Sequence, residues 1–122
     1  MMAWMLYQKP GCKACEKVTE WLTEHQVDYL ERNIMTDSLD AELVLKLSRQ
    51  LPDGLMGFVH PLGYIDGRPA DLVMEDWPDQ DIATWLTQNP GLFLRPVLTD
   101  GEHVVAGPDM KRLEALLPLL KS

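Results

Sequence analysis

Within the first 25 residues the apolar pattern changes from that of a strand to that of a helix. Residues 3–7 form a short apolar run that stops at the breaker cluster Lys9-Pro10-Gly11. From Cys12 onward Cys15, Val18, Trp21, Leu22 and His25 recur at helical spacing, with Lys13, Glu16, Lys17, Glu20 and Glu24 on the other face. Residues 27–34, with β-branched and aromatic side chains, then read as a second strand. Two strands on either side of a crossover helix imply a parallel pair.

The rest of the chain follows less regularly. Asp37-Ser38 is placed to cap a helix over 39–51, whose Leu39, Leu43, Leu47 and Leu51 form one stripe before Pro52-Asp53-Gly54 stops it. Residues 52–76, rich in glycine and proline, hold no period, which marks either a functional surface or a hidden short element. A third helix is expected over 77–88, with Pro78 at its start and Ile82, Trp85 and Leu86 inward. Two apolar runs, 92–99 and 102–106, are joined by Asp100-Gly101, the pair a two-residue type I′ hairpin turn prefers. After Gly107-Pro108-Asp109 a last helix presents Met110, Leu113, Leu116, Leu117 and Leu120, with Pro118 limiting its final turn.

Length and charge narrow the function classes. A chain of 122 residues with 46% hydrophobic content closes one core, so residues 1–122 read as one domain with an insert over roughly 40–90. The net charge is −8 and no basic block stands out, so direct nucleic-acid binding is not expected. There is no basic leader, and no apolar run approaches the roughly 18 residues of a membrane span, which points to a cytoplasmic location and no membrane partner. In that compartment ordinary disulfides stay reduced, and a bond across two intervening residues closes too small a loop to stabilise much.

The two cysteines, Cys12 and Cys15, therefore invite a chemical reading. A cysteine at a helix N-terminus gains from the positive end of the dipole, and Lys9, Lys13 and Lys17 add local positive charge, so Cys12 is the expected nucleophile with a lowered pKa. Cys15 falls on the apolar stripe, partly buried beneath it, and can attack a mixed disulfide formed there, which makes it the resolver. Half a zinc site and simple packing of small hydrophobes are the alternatives; no second CxxC is present, and His25, His60 and His103 lack ligand-like spacing. His60 and His103 default to surface or hairpin roles, and Trp4, Trp21, Trp77 and Trp85 to core packing. Pro96, inside the run "FLRPVLT", cannot donate to a sheet ladder and argues for an edge or a strand start.

The stretches "YQKPGCKACEKVTEWLTEHQVDYLERNI" and "NPGLFLRPVLTDGEHVVAG" resemble the two signature regions of the Spx and arsenate reductase (ArsC) family. The resemblance implies an α/β, thioredoxin-like (glutaredoxin-type) mixed sheet flanked by helices, with an irregular insert between the halves. It also implies a proline at the start of the strand facing the CxxC turn, in cis, so the Arg95-Pro96 bond is expected to be cis. In the arsenate reductase branch one cysteine at the position of Cys12 attacks an oxyanion held by several arginines. Arg95 matches one of these; His60 lies near another, Gly107-Pro108 occupies a third, and Arg68 is a candidate substitute. In the Spx branch the CxxC is a switch and the protein binds the RNA polymerase α C-terminal domain, with Gly54 at the matching contact position. Asp53-Gly54 also reads simply as a helix end in the left-handed region.

These readings converge on a thiol/disulfide redox protein in which Cys12, Cys15 and Arg95 carry the chemistry and Lys9, Gly11, Lys13, Pro96 and Arg68 support the thiolate or an anion. No bound cofactor is expected, only an external thiol reductant such as glutathione or thioredoxin. A redox-sensing regulator, an arsenate reductase, and a degenerate relative without chemistry are the alternatives.

Overall fold

A computed structural model describes residues 3–37, 39–61 and 63–121. Strand β1 (Met5–Gln8) is followed by helix α1 (Lys13–Glu24) and strand β2 (Leu30–Asn33), which lies parallel to β1 with Met5 opposite Leu30. Strands β5 (Val97–Thr99) and β6 (Val104–Ala106) complete a four-stranded mixed sheet in the order β2-β1-β5-β6, and helix α5 (Met110–Leu120) closes the chain. Between the halves lie helix α2 (Ala41–Ser48), a 3₁₀ turn (Gly54–Phe58), a hairpin of β3 (Tyr64–Ile65) and β4 (Arg68–Pro69), helices α3 (Ala70–Met74) and α4 (Asp79–Gln88), and a second 3₁₀ turn (Pro90–Leu92). This is the thioredoxin-like mixed sheet with an insert. Among the described residues no helix is long and apolar enough to cross a membrane.

The sheet separates two interiors. Leu6, Leu98 and Val105 face Val18, Trp21 and Leu22 of α1 and Leu113, Leu116 and Leu120 of α5. Val97 and Val104 face the insert, where Val44, Leu47, Phe58, Met74, Leu86 and Phe93 fill the space. The alternation of β5 and β6, one residue to each side, is what a strand covered on both faces requires.

Five expectations need correction. Helix α2 is capped by Asp40, whose carboxylate accepts from the Leu43 N–H at 2.8 Å; Ser38 lies outside the described residues. Leu39, Leu43, Leu47 and Leu51 do line the core, joined by Val44 and Ser48, but the helix itself spans only Ala41–Ser48 and leaves Leu39 and Leu51 beyond its ends. Asp100-Gly101 does not make a two-residue turn: Thr99 pairs with Val104, leaving a four-residue loop. There the Asp100 carboxylate accepts from the N–H groups of Glu102 (2.8 Å) and His103 (2.7 Å), and the Thr99 hydroxyl donates to the His103 carbonyl at 2.6 Å. The tight turn sits instead at Asp66-Gly67, where both residues have positive φ (50° and 80°) and Ile65 pairs with Arg68.

The fourth correction concerns the run 92–99, of which only Val97–Thr99 is strand. Its first half runs beside the exit of the Gly54–Phe58 turn, with the Leu94 N–H donating to the Phe58 carbonyl (2.6 Å) and the His60 N–H to the Leu92 carbonyl (2.7 Å). Proline then resets the chain: the Arg95-Pro96 peptide is cis. Pro118, by contrast, does not shorten α5, which continues to Leu120.

Candidate active site

The turn between β1 and α1 presents the cysteine pair. Gly11 has φ +78°, a conformation that favours glycine, and it reverses the chain so that the Cys12 N–H donates to the Lys9 carbonyl at 3.3 Å. Cys12 is the N-cap of α1, and its sulfur accepts from the Cys15 N–H at 3.2 Å, the bond a serine or aspartate oxygen makes at other helix starts. Cys12 is half-buried and Cys15 buried, and both are free thiols.

The two thiols are shifted in opposite directions. Burial by itself disfavours the Cys12 thiolate, but the Cys15 thiol and N–H donate to it, and the Arg95 guanidinium faces it as a charge and a donor. The balance holds Cys12 below the usual thiol range. Burial pushes the Cys15 thiol up to about 12, helped by its hydrogen bond to Cys12 and by the negative charge there, against the Lys9 N–H and Arg95, which pull it down.

Arg95 reaches this place from the insert's exit. Its Nη1 donates to the carbonyls of Gly91 (2.9 Å) and Phe93 (3.4 Å), which fixes the plane of the guanidinium. Its Nε–H is buried and has no hydrogen-bond partner. Pro96, buried beside it, accepts from the Gly107 N–H at 2.8 Å and so ties the segment to the end of β6.

The remaining sequence candidates are distributed differently. The side chains of Lys9 and Lys13 are exposed, and the charge that acts on Cys12 is that of Arg95; Lys9 contributes through its backbone. Arg68 is exposed on the β3–β4 hairpin. Gly54 opens its 3₁₀ turn at φ +60°, the left-handed conformation expected of Asp53-Gly54, although that turn follows α2 at a distance of several residues. Among the described residues no group of three or more His, Cys, Asp or Glu side chains could hold a metal ion.

His60 was given only a surface role by the sequence, yet it belongs to this neighbourhood. Burial first, and the charge of Arg95 second, lower its pKa, so it stands neutral beside the arginine at pH 7. The pairing of 58–60 with 92–94 brings it there. The sequence signal was the position near an expected arginine, which is a place in a pattern and says nothing of its neighbours.

Comparison with known proteins agrees with this fold. The family model described as Glutaredoxin matches residues 4–53. The global transcriptional regulator Spx of Bacillus subtilis (strain 168) is 27% identical over 113 residues, covering 93% of this chain and 86% of that protein. The chain is similar to Spx and ArsC-type proteins and has the thioredoxin-like fold. Spx of Enterococcus faecalis (strain ATCC 700802 / V583) is likewise 27% identical over 93% of this chain and 85% of its own. Among solved structures, an ArsC family related protein from Bacteroides fragilis superposes with a TM-score of 0.77 at 23% identity, covering 94% of this chain and 98% of that one. At such identity the superposition shows the fold alone.

Proposed function

We propose that this protein is a thiol/disulfide redox protein in which Cys12 attacks and Cys15 resolves. The observation that carries the reading is the opposite shift of the two thiols: one lowered and reachable, the other raised and buried behind it. Cys12 thiolate attacks a disulfide sulfur, forming a mixed disulfide and releasing a thiolate. Its negative charge and its acceptor role toward Cys15 are then gone, and with them two of the causes that keep the Cys15 thiol protonated. Cys15 is thereby freed to attack Cys12 and expel the second thiol. An external thiol, glutathione or a thioredoxin, resets the pair by the same exchange.

Reduction of arsenate fits less well. A multiply charged oxyanion calls for several fixed cations, and here Arg95 has a neutral His60 for a neighbour. The likeness to Spx over 93% of the chain favours a second reading, in which the same oxidation alters docking on the RNA polymerase α C-terminal domain near Gly54. Turnover separates the two. With glutathione and a small mixed disulfide, the wild type turns over, Cys12→Ser does not, and Cys15→Ser accumulates one mixed disulfide on Cys12, read by mass. Retained turnover in Cys12→Ser overturns the enzymatic reading. Polymerase-domain binding that changes with the oxidation state, without turnover, supports the second.

A further inference from the structure

Trp77 and Trp85, which their sequence positions assign to core packing, are only half-buried. Their rings meet edge-on, with centroids 6.2 Å apart at 78°. An edge-on pair leaves each ring a face that the other does not cover. With Asp81, Thr84 and Gln88 the two indoles line an open cleft of about 330 Å³. The helix itself assembles it: Thr84, Trp85 and Gln88 follow Asp81 by three, four and seven residues on α4, which is one helical face. Among the described residues the Asp81 carboxylate has no ion-pair partner. Between Arg68 and Arg95 the chain carries Asp71, Glu75, Asp76, Asp79 and Asp81 and no lysine, arginine or histidine.

Indole faces and carboxylates both favour positive charge, so this surface selects a cation. The lining says which kind. A quaternary ammonium has no N–H to give to Asp81, and an ammonium is a compact point charge. A guanidinium is planar, stacks on an aromatic face, and donates from its edge to a carboxylate through two N–H groups. The surface also continues past the cleft. Trp85 and Gln88 are shared with a second open cavity of about 570 Å³, walled by Met35, Tyr64 and Ile65 and reaching Asp66. Met35 and Tyr64 are 42% and 62% exposed, unusual for side chains of their size. A free guanidinium compound fills the first cavity alone, whereas an arginine carried on a chain beside an apolar residue fills both. We propose that the α4 face around Trp77 and Trp85 docks an arginine-bearing apolar segment of a partner protein, with the guanidinium against the indoles and Asp81 and the neighbouring apolar side chain against Met35 and Tyr64. This docking goes beyond the redox reading and does not depend on the cysteines.

The test is a heteronuclear NMR titration of the full reduced chain with the peptide acetyl-Gly-Leu-Arg-Leu-Gly-amide, read at the indole N–H signals. These are assigned by replacing each tryptophan in turn with phenylalanine. The signals of Trp77 and Trp85 should move, and those of Trp4 and Trp21, which lie in the other interior, should not. Citrulline in place of the peptide's arginine keeps the shape and loses the charge, and should weaken binding about tenfold. Asp81→Asn, at an exposed position, should do the same while the Trp4 and Trp21 signals stay in place and report an intact fold. Acetyl-arginine-amide, which lacks the leucines, should bind about tenfold more weakly than the peptide. Equal affinity for the citrulline peptide would mean that the face reads apolar surface only, and would overturn the proposal. Equal affinity for acetyl-arginine-amide, or for tetramethylammonium, would make this a small-cation site and overturn it as a docking surface. Indole signals of Trp77 and Trp85 that stay fixed throughout the titration would remove the site altogether.

Discussion

Leu6 and Tyr7 are neighbours on β1, yet they look into different interiors. Leu6 meets two helices, α1 and α5, of 12 and 11 residues. Tyr7 meets the insert, a set of short helices and turns. A long helix buries a whole face through its own period and satisfies its own backbone along its length. Short elements expose many ends, and here those ends are joined pairwise, as Phe58 and His60 are to Leu94 and Leu92. The site draws on both: Cys12 comes from the long-helix side, and Arg95 from the side of short pieces. The first side presents the sulfur with the Cys15 hydrogen bonds that lower its pKa, and the second adds the charge of Arg95.

The comparison can be broken most sharply in the insert. Phe58→Ala removes a fully buried ring that meets Phe93 edge-on at 6.2 Å, and should cost about 3–5 kcal/mol in denaturant unfolding. Because the Phe58 backbone also holds Leu94, next to Arg95, the Cys12 thiol should climb back toward the ordinary range, seen in the pH profile of alkylation. Leu22→Ala, fully buried on the α1 side, should cost about 2–4 kcal/mol with that profile unmoved. Equal shifts of the profile in both variants would mean that the two interiors do not differ in how they serve the site.

Smaller effects sharpen it. Asp100 ties the β5–β6 loop, and although burial raises its pKa, the N–H groups of His103 and Glu102 and the His103 ring bring it below the usual carboxylate range. A depressed carboxylate stabilises the fold above its unfolded pKa, and this is lost as pH falls through the folded one. Asp100→Asn should therefore cost about 1 kcal/mol at pH 7 and flatten the acid limb of the stability curve. His60 runs through the same linkage from the cationic side. Its lowered pKa leaves the unfolded chain holding more protons just below pH 6.5, so stability declines as pH drops through that range, more in wild type than in His60→Gln. In Arg95→Gln the His60 resonance should titrate closer to the ordinary value, by NMR.

What could be read from sequence follows the same division. The strand–turn–helix around Cys12 and the apolar face of α5 were legible because period and breakers coincide there. The Asp-Gly rule was sound but had two places to act. At Asp66-Gly67 nothing competes with the tight turn, whereas at Asp100-Gly101 the Asp100 carboxylate and Thr99 hydroxyl hold a wider loop. The leucine stripe of α2 was legible but its extent was not, because a period cannot say where a helix stops. Cys12 and Cys15 were found by their own chemistry, and Arg95 by its place before Pro96. The unpaired Nε of Arg95 and its neighbour His60 depend on contacts between segments about 35 residues apart, which no local pattern contains.

The Cys12 thiol lies below the ordinary range and the Cys15 thiol above it, the first lowered by the Cys15 hydrogen bonds and then by Arg95, the second raised by burial. The most direct measurement is the pH titration of each cysteine in the reduced protein, by thiolate absorbance near 240 nm in wild type, Cys12→Ser and Cys15→Ser. The account predicts one thiol in the wild type titrating below the ordinary range, lost in Cys12→Ser and shifted upward in Arg95→Gln, with Cys15 still protonated at pH 9. Two thiols titrating together in the ordinary range, indifferent to Arg95, would contradict it.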